Sequence, residues 1–409
     1  MTADEYADRV RAWAAELRAG GTATWTRFVE DSPTTPAPTG IGPLPGAAQL
    51  EVVRRLADVP DVAGLPDFAG LADLVLGTPG PGRGLVDVPL PWPGASTGAT
   101  ASSIGTPPVA PEKLPAEELL RVCTGALVRL LADEPRSPER RPSRPWRPWR
   151  KGFTLLGAPT TVDLVRGALL AGGLREGGGS RTTYLVLGGP LDELMAQRWS
   201  ARVRAGAALR WQRMWRIAET HDRVPPGIAL PTLAGHLAGE FDPARVHVVV
   251  APDTATTLGL VGEILGVSLE PVGDRYDALA TDLLRRVNPV LTLAVGDDAR
   301  RELVSRVWPE IAAGEQSGPL GVPARQDDWA VATGERMAST LAGARYAVHG
   351  DPAVVVPTRR PGVRRAPRPD DVLAHALRVI GRAWERHHAS AGSSTAAGTA
   401  AGTERKGRG

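Results

Sequence analysis

The amino-acid sequence predicts an α/β fold, a mainly parallel sheet with flanking helices, preceded by a Pro-rich helical N-terminal extension. Three observations carry this. From Gly152 onward, short apolar runs alternate with longer helical patterns, as parallel strands joined by crossover helices do. Of the 38 prolines, 21 fall in the first 150 residues, where they interrupt every helical pattern. At 409 residues and 42% apolar, the chain is long enough to bury at least one sizeable core.

In chain order, residues 3–19 carry Tyr6, Val10, Trp13, Ala14 and Leu17 at helical spacing and stop at Gly20-Gly21, an amphipathic helix with a glycine cap. Further helices fit 47–57, the residues around 72–76, and 117–134, where Cys123 sits among apolar neighbours as a buried helix residue. Strands fit 153–157, 182–188 and 245–251, all expected in one sheet. The first is followed by a helix over VDLVRGALLAGG, the second by PLDELMAQRWSARVRAG, and the third by a helix with Asp253 and Thr254 as candidate caps. Helices also fit 276–287, 297–313, 326–342 and 370–388, and 346–357 is an extended segment. The boundaries expected are a Pro/Gly-rich helical region over 1–135, a basic Pro/Trp/Arg linker over 136–151, an α/β domain over 152–389 and a disordered tail over 390–409. The N-terminal helices, each with one apolar face, are expected to pack on the α/β domain.

A single cysteine excludes an intrachain disulfide framework and a closed thiolate metal site, which points to a reducing, cytoplasmic setting. No leader-like apolar segment and no run of about 18 uncharged apolar residues occurs, so no membrane role is expected. Net charge is only +3, yet arginine crowds 136–151 and 359–368. Such runs read either as solvated linkers or, with the N-terminal region, as contacts for a protein partner; nucleic acid is not expected. The seven histidines show no HExxH-type spacing, and no metal site is expected.

Ligands of open α/β sheets bind beyond the carboxyl ends of strands, at helix N-termini that present backbone N–H groups to anions. The turn Gly157-Ala158-Pro159-Thr160-Thr161 suits such a site, or is an ordinary strand-to-helix turn. The stretch 198–228 interleaves seven arginines, among them Arg198 and Arg202, with Trp199, Trp211 and Trp215. That pattern fits a surface that stacks on a base and holds phosphate or sulfate, or core tryptophans with arginines reaching to solvent. His221, in a loop beside Asp222, is the candidate general base.

Over about 150–357 the chain resembles the sulfotransferase-like proteins common in actinobacteria. The resemblance rests on Tyr184-Leu185-Val186-Leu187, Pro190-Leu191-Asp192, Trp199, Arg245-Val246-His247-Val248-Val249, Leu265-Gly266-Val267, Asn288 and Tyr346-Ala347-Val348-His349-Gly350-Asp351 followed by Pro357. It implies a P-loop-derived fold and, in an active member, 3′-phosphoadenylylsulfate or a related nucleotide as donor. The turn Gly157, Ala158, Pro159, Thr160 and Thr161 is the nearest match to the family's donor loop; in a divergent transferase Arg198 and Arg202 from the 198–228 stretch would have to supply the cations, and Trp211 or Trp215 would stack on the base. The family's G-x-P-[KR]-[ST]-G-T-T loop is absent: Gly157–Thr161 lacks its cation, and Gly188 or Gly189 stands where an arginine would hold the 3′-phosphate. Each lost contact is worth roughly 1.5–3 kcal/mol. The expectation is therefore a non-catalytic or weakly active member with a protein-interaction role; the alternative is a divergent transferase.

Overall fold

The computed structural model describes residues 3–31, 46–79, 109–132, 152–177, 182–270, 276–314, 317, 320–358 and 363–404. The basic 136–151 segment and most of the N-terminal proline tracts lie outside them. The chain divides into two units. One gathers 1–136, 286–311 and 368–409; the other gathers 137–285 and 312–367.

The first unit is helical. It contains α1 (Ala3–Arg18), α2 (Trp25–Asp31), α3 (Ala47–Ala57), α4 (Pro60–Ala63), α5 (Phe68–Leu76) and α6 (Ala116–Ala132). The chain leaves for the second unit, which holds β1 (Gly152–Gly157), α7 (Pro159–Ala171), β2 (Arg175–Glu176), β3 (Thr182–Gly188), α8 (Leu191–Arg204), α9 (Trp211–Thr220), α10 (Leu230–Glu240), β4 (Val246–Val250) and α11 (Thr254–Leu265). Helix α12 (Ala278–Ala294) begins there and ends in the first unit, which continues with α13 (Asp297–Ile311). The second unit resumes with α14 (Asp327–Ala342) and β5 (Ala347–Gly350), and α15 (Pro369–Glu404) returns to the first.

Two expectations change here. The 152–389 stretch is not one contiguous domain, because α13 and α15 belong with the N-terminal helices. Within the first unit, α3 packs on α1, α5 and α6, and α15 packs on α6, α3 and α13. Leu119, Leu120 and Leu127 of α6 and Val372, Leu373, Ala376 and Ile380 of α15 are buried, as helices with one apolar stripe require. Helix α15 also runs to Glu404, where a disordered tail was expected. Cys123 of α6 is buried, and burial pushes its thiol up to about 12, which removes it as a nucleophile.

Glu51 of α3 is a fully buried carboxylate. Arg54 holds it with two bonds of 2.8 Å, and Arg55 adds a third of 2.7 Å. Those bonds to Glu51 raise the Arg54 pKa above its ordinary value. Replacing Glu51 by Gln removes the charge and keeps the shape, so it is expected to cost about 2 kcal/mol, the worth of a hydrogen bond to a charged group. Urea unfolding followed by circular dichroism measures it, and a loss below about 0.5 kcal/mol would contradict a structural ion cluster.

In the second unit the five strands lie in the order β2-β1-β3-β4-β5, and every neighbouring pair is parallel. This is one of the two common orders of doubly wound α/β sheets, whose direction reverses between β1 and β3. All three strands read from the sequence lie in this sheet. Side chains alternate across it. Phe153, Leu155, Leu185, Leu187 and Val249 face α7 and α11, which contribute Val162, Val165, Leu169, Leu258 and Val261. On the opposite pleat Val186, Val248 and Val250 are buried, α10 packs on β3 and β4, and α14 packs on α10 and α8. Asp253 caps α11, its carboxylate accepting from the Thr256 N–H at 2.7 Å, as the sequence indicated. No described helix is long and apolar enough to cross a membrane.

Candidate functional site

A sheet of this order directs attention to the crevice between the carboxyl ends of β1 and β3. Gly157 closes β1 with φ +112, and a Cβ there would stand 2.0 Å from the Leu187 carbonyl oxygen. The glycine therefore serves the close approach of β1 to β3, and the next amide, Ala158 N–H, donates to that same carbonyl at 3.0 Å. Pro159 opens α7 and has no N–H to offer. Thr161 is buried, and its N–H donates to Gln197 Oε1 at 3.1 Å while Gln197 Nε2 donates to Thr161 Oγ1, also at 3.1 Å. A neutral amide from α8 thus occupies the helix start where an anion was expected. Thr160 is half-buried beside it.

The other lip of the crevice is equally filled. A Cβ on Gly188 would meet Leu230 Cδ1 at 2.3 Å, and one on Gly189 would meet the Ala251 carbonyl oxygen at 2.9 Å. Leu230, the first residue of α10, is fully buried there. Asp192, in the first turn of α8, is buried and lines a cavity of about 50 Å³ with Asp327 and Arg365, themselves paired at 3.0 Å. That space suits one or two water molecules, not a nucleotide.

Trp211 and Trp215 are corrections. Both are buried, in a chain that runs Trp199–Trp211–Trp215–Trp329 with ring centroids 5.6, 5.6 and 6.1 Å apart. Neither ring reaches a surface on which a base could stack. Helical spacing is the same for a core stripe and a ligand face, so the sequence left both readings open, and the core reading holds.

The arginines diverge from the α7 turn. Arg198 is half-buried against Gly227, where a Cβ would lie 3.7 Å from its guanidinium carbon. Burial, and then the charge of Arg202, lower its pKa. Arg202, one turn on, is exposed and lines a groove of about 420 Å³ with Leu209, Met214, Ile217, His221, Arg223 and Val224. His221 therefore shares a groove with Arg202, but neither shares one with Gly157, Pro159, Thr160 or Thr161 among the described cavities.

The groove is built by the end of α9. Met214, Ile217, Ala218 and His221 form an i, i+3, i+4, i+7 stripe, and the chain then turns through Asp222 at φ +41. The Arg223 N–H donates to the Ala218 carbonyl and the Asp222 N–H to the Glu219 carbonyl, both at 2.9 Å, which is the Schellman arrangement. Glycine ordinarily fills its left-handed position. Here Asp222 does, and its carboxylate accepts from Trp329 Nε1 at 2.8 Å and Arg336 Nη2 at 3.0 Å, holding the turn in place.

His247 of β4 and His349 of β5 are a further pair, ring nitrogens 3.0 Å apart. Burial, then His349, lower the His247 pKa. Among the described residues no group of three or more His, Cys, Asp or Glu side chains is placed to hold a metal.

Sequence reasoning missed Gln197, whose role depends on a contact 36 residues away, and α10, whose Pro231, Gly235 and Gly239 look like helix breakers. The arginine and histidine of the groove were legible as residues and not as neighbours. No protein-family model, curated protein or solved structure gives a significant match to the chain.

Proposed function

We propose that this chain is a non-catalytic, sulfotransferase-like protein that acts by binding a partner or ligand and does not transfer a sulfuryl group from 3′-phosphoadenylylsulfate. One observation carries the reading: the helix start that would hold the donor's phosphosulfate is occupied by Gln197, bonded to both the amide and the hydroxyl of Thr161. The cations that would have to replace the missing loop lysine or arginine lie elsewhere, Arg198 against Gly227 and Arg202 in the α9 groove. An anion at α7 would have to displace a neutral cap and would gain bonds from backbone N–H groups without Arg198 or Arg202 to pair its charge.

Titration with adenosine 3′,5′-bisphosphate tests it. Neither calorimetric heat nor a shift in melting temperature is expected at millimolar nucleotide. A ligand at 100 times its dissociation constant stabilises by about 2.7 kcal/mol, so saturable binding would be unmistakable and would restore the transferase reading. Gln197→Ala is expected to cost about 1 kcal/mol, as loss of a helix cap does, without creating nucleotide binding. Chemical denaturation and the same titration on the variant check both halves.

A further inference from the structure

We propose that the groove at the end of α9 is a binding site for a small organic anion, a carboxylate or sulfate head on an apolar body. Arg202 and Arg223 hold the head, and Met214, Ile217 and Val224 carry the body. This deepens the binding reading given above by naming the ligand class, and rests on that reading.

Several independent features converge on the groove. Its volume, about 420 Å³, falls in the range of small-molecule pockets, roughly 300–1,000 Å³. Its walls are apolar: Leu209, Met214, Val224, Pro225 and Pro226, with Ile217 left 42% exposed. Two guanidinium groups open into this apolar space, and among the described residues neither Arg202 nor Arg223 makes an ion pair. The acids nearest in sequence are engaged elsewhere, Asp222 with Trp329 and Arg336, and Glu219 with Gln326 Nε2 at 2.8 Å. Arg198, whose positive charge is repelled by that of Arg202, adds to the positive potential. Like charges gathered beside low-dielectric walls attract an anion more strongly than the same charges spread over open surface.

The turn is also preorganised. Asp222 adopts a left-handed conformation that costs energy for a residue with a Cβ, and two side-chain hydrogen bonds keep it there. Its neighbours His221 and Arg223 are thereby fixed on the groove wall. Arginine suits the head group because its planar fork meets a carboxylate or sulfate with two parallel bonds. The His221 ring, on the same wall, offers a further hydrogen-bonding group.

Calorimetric titration of the full chain with hexyl sulfate, hexanoate, hexanol and inorganic sulfate tests the proposal. Saturable binding of hexyl sulfate or hexanoate is expected, with hexanol and inorganic sulfate each at least about tenfold weaker, since each lacks one half of the recognition. Arg202→Gln and Arg223→Gln, both at exposed positions, are each expected to weaken hexyl sulfate binding about tenfold with an unchanged melt. Ile217→Glu, which sets a carboxylate inside the groove, should abolish it. No saturable binding by either organic anion at ten millimolar, roughly the weak limit for a fragment of this size, would overturn the proposal. So would hexanol binding as tightly as hexyl sulfate, or affinity that is unchanged in both arginine variants. Adenosine 3′,5′-bisphosphate binding that persists in Arg202→Gln and Arg223→Gln would instead count against the non-catalytic reading and leave the groove intact.

Discussion

Gly157→Ala is expected to destabilise the sheet-bearing unit by at least about 3 kcal/mol, a sum of backbone strain and overpacking that single surface changes never reach. The added Cβ would fall 2.0 Å from the Leu187 carbonyl oxygen and 2.9 Å from that residue's nitrogen and carbonyl carbon. These are backbone atoms of a central strand paired on both sides, so nothing flexible can give way. The φ of +112 adds strain in its own right. A glycine kept only so that a phosphate can approach would behave differently, since its substitution would impair ligand binding and leave the unliganded protein stable. Urea unfolding monitored by tryptophan fluorescence separates the two, and a loss under 1 kcal/mol would return Gly157 to a ligand-binding role.

Trp215→Ala is expected to cost about 3–5 kcal/mol, the usual range for deleting a large aromatic side chain from a core. Trp215 is fully buried and meets Trp211 and Trp329 edge to face. Aromatic pairs of that geometry add about 0.5–1.5 kcal/mol each beyond area burial. Trp215→Phe should recover part of the loss by refilling the space. A stacking platform at the mouth of a nucleotide site would tolerate alanine with little change in melting, so a near-normal melt would reverse the assignment to the core.

Much of the fold was legible because it depends on local signals. The 47–57 helix and the 182–188 strand coincide with α3 and β3, since each is an apolar pattern bounded by glycine, proline or polar residues. Asp253 announced the start of α11 by side-chain chemistry alone. What escaped the sequence depends on distant partners. Nothing near Pro231 indicates that Leu230 will fill the space above Gly188, and nothing near Gln197 indicates that it will cap α7. The assignment of α13 and α15 to the N-terminal helices was hidden for the same reason, because an apolar stripe says that a helix needs a cover and not which one. The candidate site shows both cases. Arg202 and His221 were picked out individually, and only the Asp222 turn explains why they share a groove.

The way the two units share the chain has a consequence for how the protein is made. Helices α1–α6 leave the ribosome before α15, on which α6 and α3 rely for cover and which is synthesised only after Arg368. Translation at about 5–20 residues per second puts the interval between the end of α6 and the start of α15 at roughly 10–50 s. The sheet unit needs no residue beyond Pro367 and completes before its companion. For that interval the leucine stripe of α6 has α3 and α5 but lacks α15, its most extensive partner, so the nascent N-terminal third is the part of this protein with the greatest need of a chaperone.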